Sequence, residues 1–83
     1  MKALYFASIR ERVGRGEEEI TPPASVGTVA ELIAWLAEKD EAYAHAFADR
    51  KTIRAAIDRR HARLDAPLGS AREIAFFPPM TGG

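Results

Sequence analysis

Residues 28–39 read TVAELIAWLAEK. Val29, Leu32, Ile33 and Leu36 recur at i, i+3, i+4 and i+7, the spacing of one apolar stripe on an α-helix. Thr28 and Glu31 stand at the spacing of a capping box. There the threonine hydroxyl accepts from the third helical N–H, and the glutamate reaches back to the N–H of the cap. Glu31 and Glu38 lie away from the stripe and Trp35 at its flank. A helix with a single apolar stripe must lie on one apolar surface, and the flanking sequence supplies strands to make it.

Upstream, Met1–Ala7 alternates in the strand manner, with Leu4 and Phe6 on one face and Ala3, Tyr5 and Ala7 on the other. Leu4 and Phe6 are expected to face the core. Ser8-Ile9-Arg10-Glu11 reads as a second capping box opening a short helix, Ser8–Val13, which Gly14 ends. Glu17–Thr21 reads as a strand anchored by Ile20 and stopped by Pro22-Pro23. Its three glutamates mark a charged, exposed sheet edge.

Downstream, Asp40 is placed to cap a helix running to about Ala48, with Tyr43 and Phe47 on one side. Thr52–Asp58 is a third strand, with Ile53, Ala55 and Ile57 sharing a face. Residues 59–65 hold a short fourth strand anchored by Leu64, and Asp65–Ser70 is a turn cluster. Arg72–Phe77 is the last strand. The order β-α-β-α-β-β-β with one principal helix predicts an α+β domain: a mixed four- to five-stranded sheet wrapped over that helix. The expected core is Leu4, Phe6, Val29, Leu32, Ile33, Leu36, Ile53, Ile57, Ile74 and Phe76.

Composition narrows the function. The chain has 83 residues, enough for one small domain. Its apolar fraction is 47%, yet 16 of those residues are alanine, which leaves a thin core and no room for a deep pocket walled on all sides. A carrier, adaptor or subunit is therefore expected rather than an enzyme complete in itself. Twelve basic residues balance twelve acidic ones, which argues against a nucleic-acid module. There is no cysteine, so disulfides, thiolate metal sites and a cysteine nucleophile are excluded. Lys2 followed by Ala3–Ile9 loosely resembles the start of a signal peptide. Arg10-Glu11-Arg12 follow where a small-residue cleavage site would stand. The apolar run Leu32–Ala37 is far shorter than a bilayer requires. A soluble, cytoplasmic protein is expected, without membrane or nucleic-acid partners.

Most polar motifs read as structure. His45 and His61 stand apart with no companion ligands, so no metal site is expected. Gly14-x-Gly16 runs straight into three glutamates, which would repel a phosphate, and reads as a turn. Ser8, Ser25 and Ser70 sit where caps and turns use a hydroxyl. Arg50, Lys51, Arg54, Arg59, Arg60 and Arg63 concentrate half of the basic residues. They read first as a solvated face of strands three and four, and second as a surface for an acidic partner or a phosphate.

The last six residues, Pro78-Pro79-Met80-Thr81-Gly82-Gly83, leave the fold directly after a core strand. The expected division is a domain over 1–77 and an extended, flexible tail over 78–83. Pro-Pro sets an extended exit direction, and Met80–Gly83 reaches about 13–14 Å when extended. Without Cβ atoms, Gly82 and Gly83 can pass a channel too narrow for other residues. The α-carboxylate at the tip, with a pKa of about 3.5, is ionised and a poor electrophile until activated. Attack on the α-phosphorus of ATP would activate it as an acyl adenylate. This sequence offers no nucleotide site, so another protein must supply one.

The ending FFPPMTGG (76–83), the opening LYFASIRERVG (4–14), the helix at 28–39 and the length together resemble the small, sulfur-carrying subunits of molybdopterin synthase, among the ubiquitin-like sulfur carriers. The resemblance implies a β-grasp fold. It implies that Gly83 is adenylated by a partner adenylyltransferase/sulfurtransferase that uses ATP, and is then converted to a thiocarboxylate. Phe77 has the parity opposite to the core residues Ile74 and Phe76 and lies beside Pro78 and Pro79, so these three are expected to form a docking patch for the partner. Met80, Thr81 and Gly82 would thread into the active site of a large subunit. There the sulfur would pass to cyclic pyranopterin monophosphate. The assembly implied is a heterotetramer of two small and two large subunits, and no cofactor is implied on this chain itself. Ala71-Arg72, Asp58 and Met80 depart from the pattern, at positions that bear on partner fit rather than on the chemistry of the tip. A sulfur carrier for thiamine or tRNA thiolation, or a ubiquitin-like modifier of other proteins, is the alternative.

Overall fold

A computed structural model describes residues 1–79. The elements run β1 (Lys2–Tyr5), α1 (Ala7–Val13), β2 (Glu17–Glu19), α2 (Val29–Ala37), α3 (Glu41–Ala46), a 3₁₀ turn (Arg50–Thr52), β3 (Arg54–Ile57), β4 (Arg60–Ala62) and β5 (Glu73–Phe77). One mixed sheet has the order β2-β1-β5-β3-β4. β1 and β5 are parallel at its centre; the other pairs are antiparallel. This is the expected α+β architecture, a β-grasp sheet over one principal helix with two short helices beside it.

The local signals of α2 act as their chemistry dictates. The Thr28 hydroxyl accepts from the Glu31 N–H at 3.2 Å, and the Glu31 carboxylate accepts from the Thr28 N–H at 3.1 Å. Val29 and Ala30 turn their otherwise unpaired N–H groups to the carbonyls of Ala66 and Leu64, which ties the 64–68 loop to the helix start. Val29, Leu32, Ile33 and Leu36 are buried completely or nearly so. Asp40 caps α3 by accepting from the Tyr43 N–H. Gly14 closes α1 in the left-handed region at φ 91°, its N–H donating to the Arg10 carbonyl, a conformation glycine takes without a Cβ clash.

Three expectations are corrected. Ser8 does not cap α1: the helix starts one residue earlier, Phe6 occupies the cap position, and no side chain caps it. Ile57 is only partly buried at the margin of the core. The largest correction concerns β1, where the faces are exchanged. Ala3 and Tyr5 are buried, Leu4 is intermediate and Phe6 is 46% exposed. The parallel register places Ala3 beside Ile74 and Tyr5 beside Phe76, on the side that the helices cover. The Tyr5 ring stacks on Phe76 with centroids 6.2 Å apart and meets Phe47 and Tyr43 edge-on.

Tyr5 can be buried because its hydroxyl has a partner. The register of β1 with β2 pairs Glu18 with Ala3 and turns its side chain to the same face, leaving Glu17 and Glu19 outside. The Glu18 carboxylate accepts from the Tyr5 hydroxyl at 2.7 Å and the Tyr43 hydroxyl at 2.6 Å. Lys39 and Arg15 reach its other oxygen at 3.4 and 3.3 Å. Burial pushes the carboxyl's pKa up. The tyrosine hydrogen bonds and the Lys39 charge outweigh burial and hold it below the ordinary value. Burial, reinforced by the same carboxylate, raises both phenols, Tyr43 to about 12.

A carboxyl whose pKa is lowered by folding stabilises the fold above its unfolded pKa and loses that contribution as pH falls through the folded value. Chemical denaturation is therefore expected to show stability falling on acidification below the usual glutamate range. Glu18→Gln should flatten that part of the profile and cost about 1–2 kcal/mol at neutral pH. An unchanged pH profile in the variant would remove Glu18 from this role.

Candidate functional site

The helices cover one side of the sheet, and the other side is open. Residues in register share a face, so Leu4, Ala75, Ala56 and His61 form one row across the outer surface of β1, β5, β3 and β4. Phe77 and Arg54 lie in the next row. Phe6, whose N–H donates to the Phe76 carbonyl at 3.1 Å, continues that row past the end of β1. Lys2 and Glu73 pair at the other end of the same face. An apolar patch thus lies around the C-terminal end of β5, where the chain leaves the sheet.

Successive strand residues point to opposite faces, and β5 divides as its parity predicts. Ile74 and Phe76 are fully buried under the helices, and Phe77 is half-buried on the outer side. The Phe77 ring meets the His61 imidazole edge-to-face, with centroids 5.5 Å apart and planes at 90°. Pro78 and Pro79 follow, half-buried, with no N–H to extend the ladder. The three residues expected to dock are therefore contiguous at the sheet's end. Met80, Thr81, Gly82 and Gly83, assigned to threading and chemistry, lie outside the described residues.

The start of β5 is fastened from β3. Asp58 and Arg59 form the β3–β4 turn with φ of 47° and 70°, and the Asp58 carboxylate accepts from the N–H groups of both Arg72 and Glu73. Ala71-Arg72 is thus held by a side chain where the resemblance leads one to expect Gly-Asp. Two participants in the site escaped the sequence reading. His61 read as a surface histidine and is exposed, yet it packs against Phe77. Phe6, which alternation along β1 leads one to expect in the core, stands outward. The parity of β4 opposite β3 would have placed His61 beside the outer face of β5, had the strand order been known.

What the site can do depends on the tail. Among the described residues no group of histidine, cysteine and acidic side chains could hold a metal. No helix there is long and apolar enough to cross a membrane. The arrangement is a sheet that presents an apolar patch where its central strand ends and runs into Pro78-Pro79.

Known proteins resemble this chain along its whole length. The Escherichia coli molybdopterin synthase sulfur carrier subunit is 39% identical over 83 residues, covering all of this chain and 99% of that protein. The subunit of the same name from Mycosarcoma maydis is 32% identical over 87 residues, covering all of this chain and 92% of its own length. Among solved structures, SAMP1 from Haloferax volcanii superposes with a TM-score of 0.72 at 23% identity, covering all of this chain and 98% of that one, which establishes a shared fold. The ThiS family model matches residues 3–83, tail included. With a family match across nearly every residue and full-length relatives above 30% identity, the chain belongs to the ThiS family.

Proposed function

We propose that this chain is a sulfur carrier of molybdopterin biosynthesis, acting as the small subunit of a molybdopterin synthase and catalysing nothing by itself. The observation that carries this reading is the full-length similarity to sulfur carrier subunits. It is supported by a last core strand that runs without a loop into Pro78-Pro79 and by the Gly82-Gly83 tail.

The chemistry proposed is that of the Gly83 carboxylate. A carboxylate oxygen attacks the α-phosphorus of ATP held by a partner adenylyltransferase, and pyrophosphate leaves. A sulfur nucleophile then displaces AMP from the acyl carbon, leaving a thiocarboxylate, with 1-thioglycine at position 83. In the large subunit's active site the sulfur passes to cyclic pyranopterin monophosphate, and hydrolysis returns the carboxylate. The proposed assembly pairs two small with two large subunits. The sheet face around Phe77 docks while Met80, Thr81 and Gly82 thread inward, and the work takes place in the cytoplasm.

Intact-mass measurement tests the chemistry. Incubation with the adenylyltransferase, ATP and a sulfur donor is expected to raise the mass by the exchange of one oxygen for sulfur, with the change confined to the C-terminal peptide. Mass unchanged under conditions that load a known carrier would overturn it. The docking role has its own check. Phe77→Ala should leave the fold intact and weaken binding of the large subunit by about 1–3 kcal/mol in calorimetry. Equal affinity with an intact fold would sink the assignment.

A further inference from the structure

The six cations between residues 50 and 63 have no role in the chemistry proposed above, and their placement is specific. Arg54 is paired in register with Phe77 and so projects from the same outer face. His61, against the Phe77 ring, shares that face on β4, and Arg63 stands two residues further on. Arg54, His61, Arg63 and Leu64 line a shallow groove along this margin. The guanidinium of Arg54 is anchored through one nitrogen to the carbonyls of Lys51 and Ile53, at 3.1 and 3.2 Å. The residue is exposed, and its other guanidinium nitrogens make no hydrogen bond among the described residues.

Little inside the chain answers this charge. Among the described residues Arg50, Lys51, Arg54, Arg59 and Arg60 make no ion pair. Arg63 reaches Asp65 at 3.6 Å with both side chains at least 80% exposed, a contact that contributes little. The acidic edge lies across the sheet on β2, where Glu17 is matched by Lys2 and Glu19 by the N-terminal ammonium. The outer face therefore runs from balanced charge at β2, through the apolar patch, to uncompensated positive charge beside Phe77.

We infer that the protein surface which docks on this sheet face carries an acidic strip opposite β3 and β4, met by Arg54 and Arg63 beside the Phe77 anchor. The inference rests on the docking reading and adds the charge of the partner to it. Continuity with the apolar patch and the tail exit favours an acidic protein over a nucleic acid. Glu73 shares the face, the whole chain is neutral, and residues 50–63 contain no Phe, Tyr or Trp to stack on bases. Complementary charge at the rim of an apolar contact mainly speeds and orients association. The cations would thus deliver the sheet face in the register that aims the tail.

Stopped-flow association of the full-length chain with the molybdopterin synthase large subunit, over a range of salt concentrations, tests this. Arg54→Glu with Arg63→Glu is expected to slow association about tenfold or more at low salt, and Arg54→Gln with Arg63→Gln by less. Both differences should shrink as salt approaches about 0.5 M and the charges are screened. Arg12→Glu, at an exposed position of α1, should change nothing. Circular dichroism of each variant establishes that it is folded. If Phe77→Ala weakens binding while the arginine pairs do not alter the rate, the docking face stands and the acidic strip is refuted. If neither affects binding, the docking reading fails with it. Loss of binding to a single-stranded polynucleotide with association to the large subunit intact would assign the arginines to nucleic acid and overturn the inference.

Discussion

Deleting Gly83 is expected to leave a folded chain that carries no sulfur. The described core closes at Phe76, buried beneath the helices, and the outer-face contacts close at Phe77 and the prolines. The buried core is built from residues between Ala3 and Phe76, so thermal unfolding is expected to be unchanged. The chemistry should fall to background rather than by a modest factor. Removing the glycine leaves a carboxylate on Gly82, shorter by one residue, or about 3.5 Å of extended chain. A nucleophile displaced by even 1 Å from its target can lose about 100-fold in rate, and the shift here is several times larger, at both the adenylating and the transferring site. Two measurements decide it: intact mass after exposure to the adenylyltransferase, ATP and sulfur donor, and molybdopterin formed with the large subunit. Sulfur transfer by the truncated chain at an undiminished rate would refute the assignment of Gly83.

The second large effect is on stability. Phe76→Ala should cost about 3–5 kcal/mol, the range for removing a buried aromatic ring and leaving a cavity. Phe76 has no exposed surface, stacks on Tyr5 and meets Phe47 edge-on with centroids 5.1 Å apart. The loss therefore reaches the packing of β1 and of the segment just after α3. Against a typical total of about 5–15 kcal/mol, urea denaturation should show a midpoint shifted far down, or a population already largely unfolded. Phe77→Ala, one residue on and on the opposite face, should stay within about 1 kcal/mol of the parent. If the two costs came out reversed, the parity of β5 would be wrong and the docking surface with it.

Much of this was legible in the chain because it depends on neighbours in sequence. The capping box of Thr28 and Glu31, the Asp40 cap and the left-handed Gly14 are contacts among residues at most four apart, and each forms as its chemistry requires. The stripe Val29-Leu32-Ile33-Leu36 has one apolar side, so its phase admits one answer. β5 was legible by parity: Ile74 and Phe76 share one face and fill the core, which leaves Phe77 on the other.

β1 could not be settled that way. Alternation sorts its residues into two sets and leaves open which set faces the helices, and here both sets are apolar: Ala3 with Tyr5, Leu4 with Phe6. The decision came from residues distant in sequence. Tyr5 is tolerable inside because Glu18, from another strand, and Phe76, from the far end of the chain, complete its surroundings. The pairing of Glu18 with two phenols, and of His61 with Phe77, rests on the same strand order. The sequence by itself determined the elements, the helix phase, the parity of the last strand and the family of the tail. Tertiary structure alone decided which face of β1 is buried and which residues share the outer surface with Phe77, because those contacts are made between strands whose order no local signal specifies.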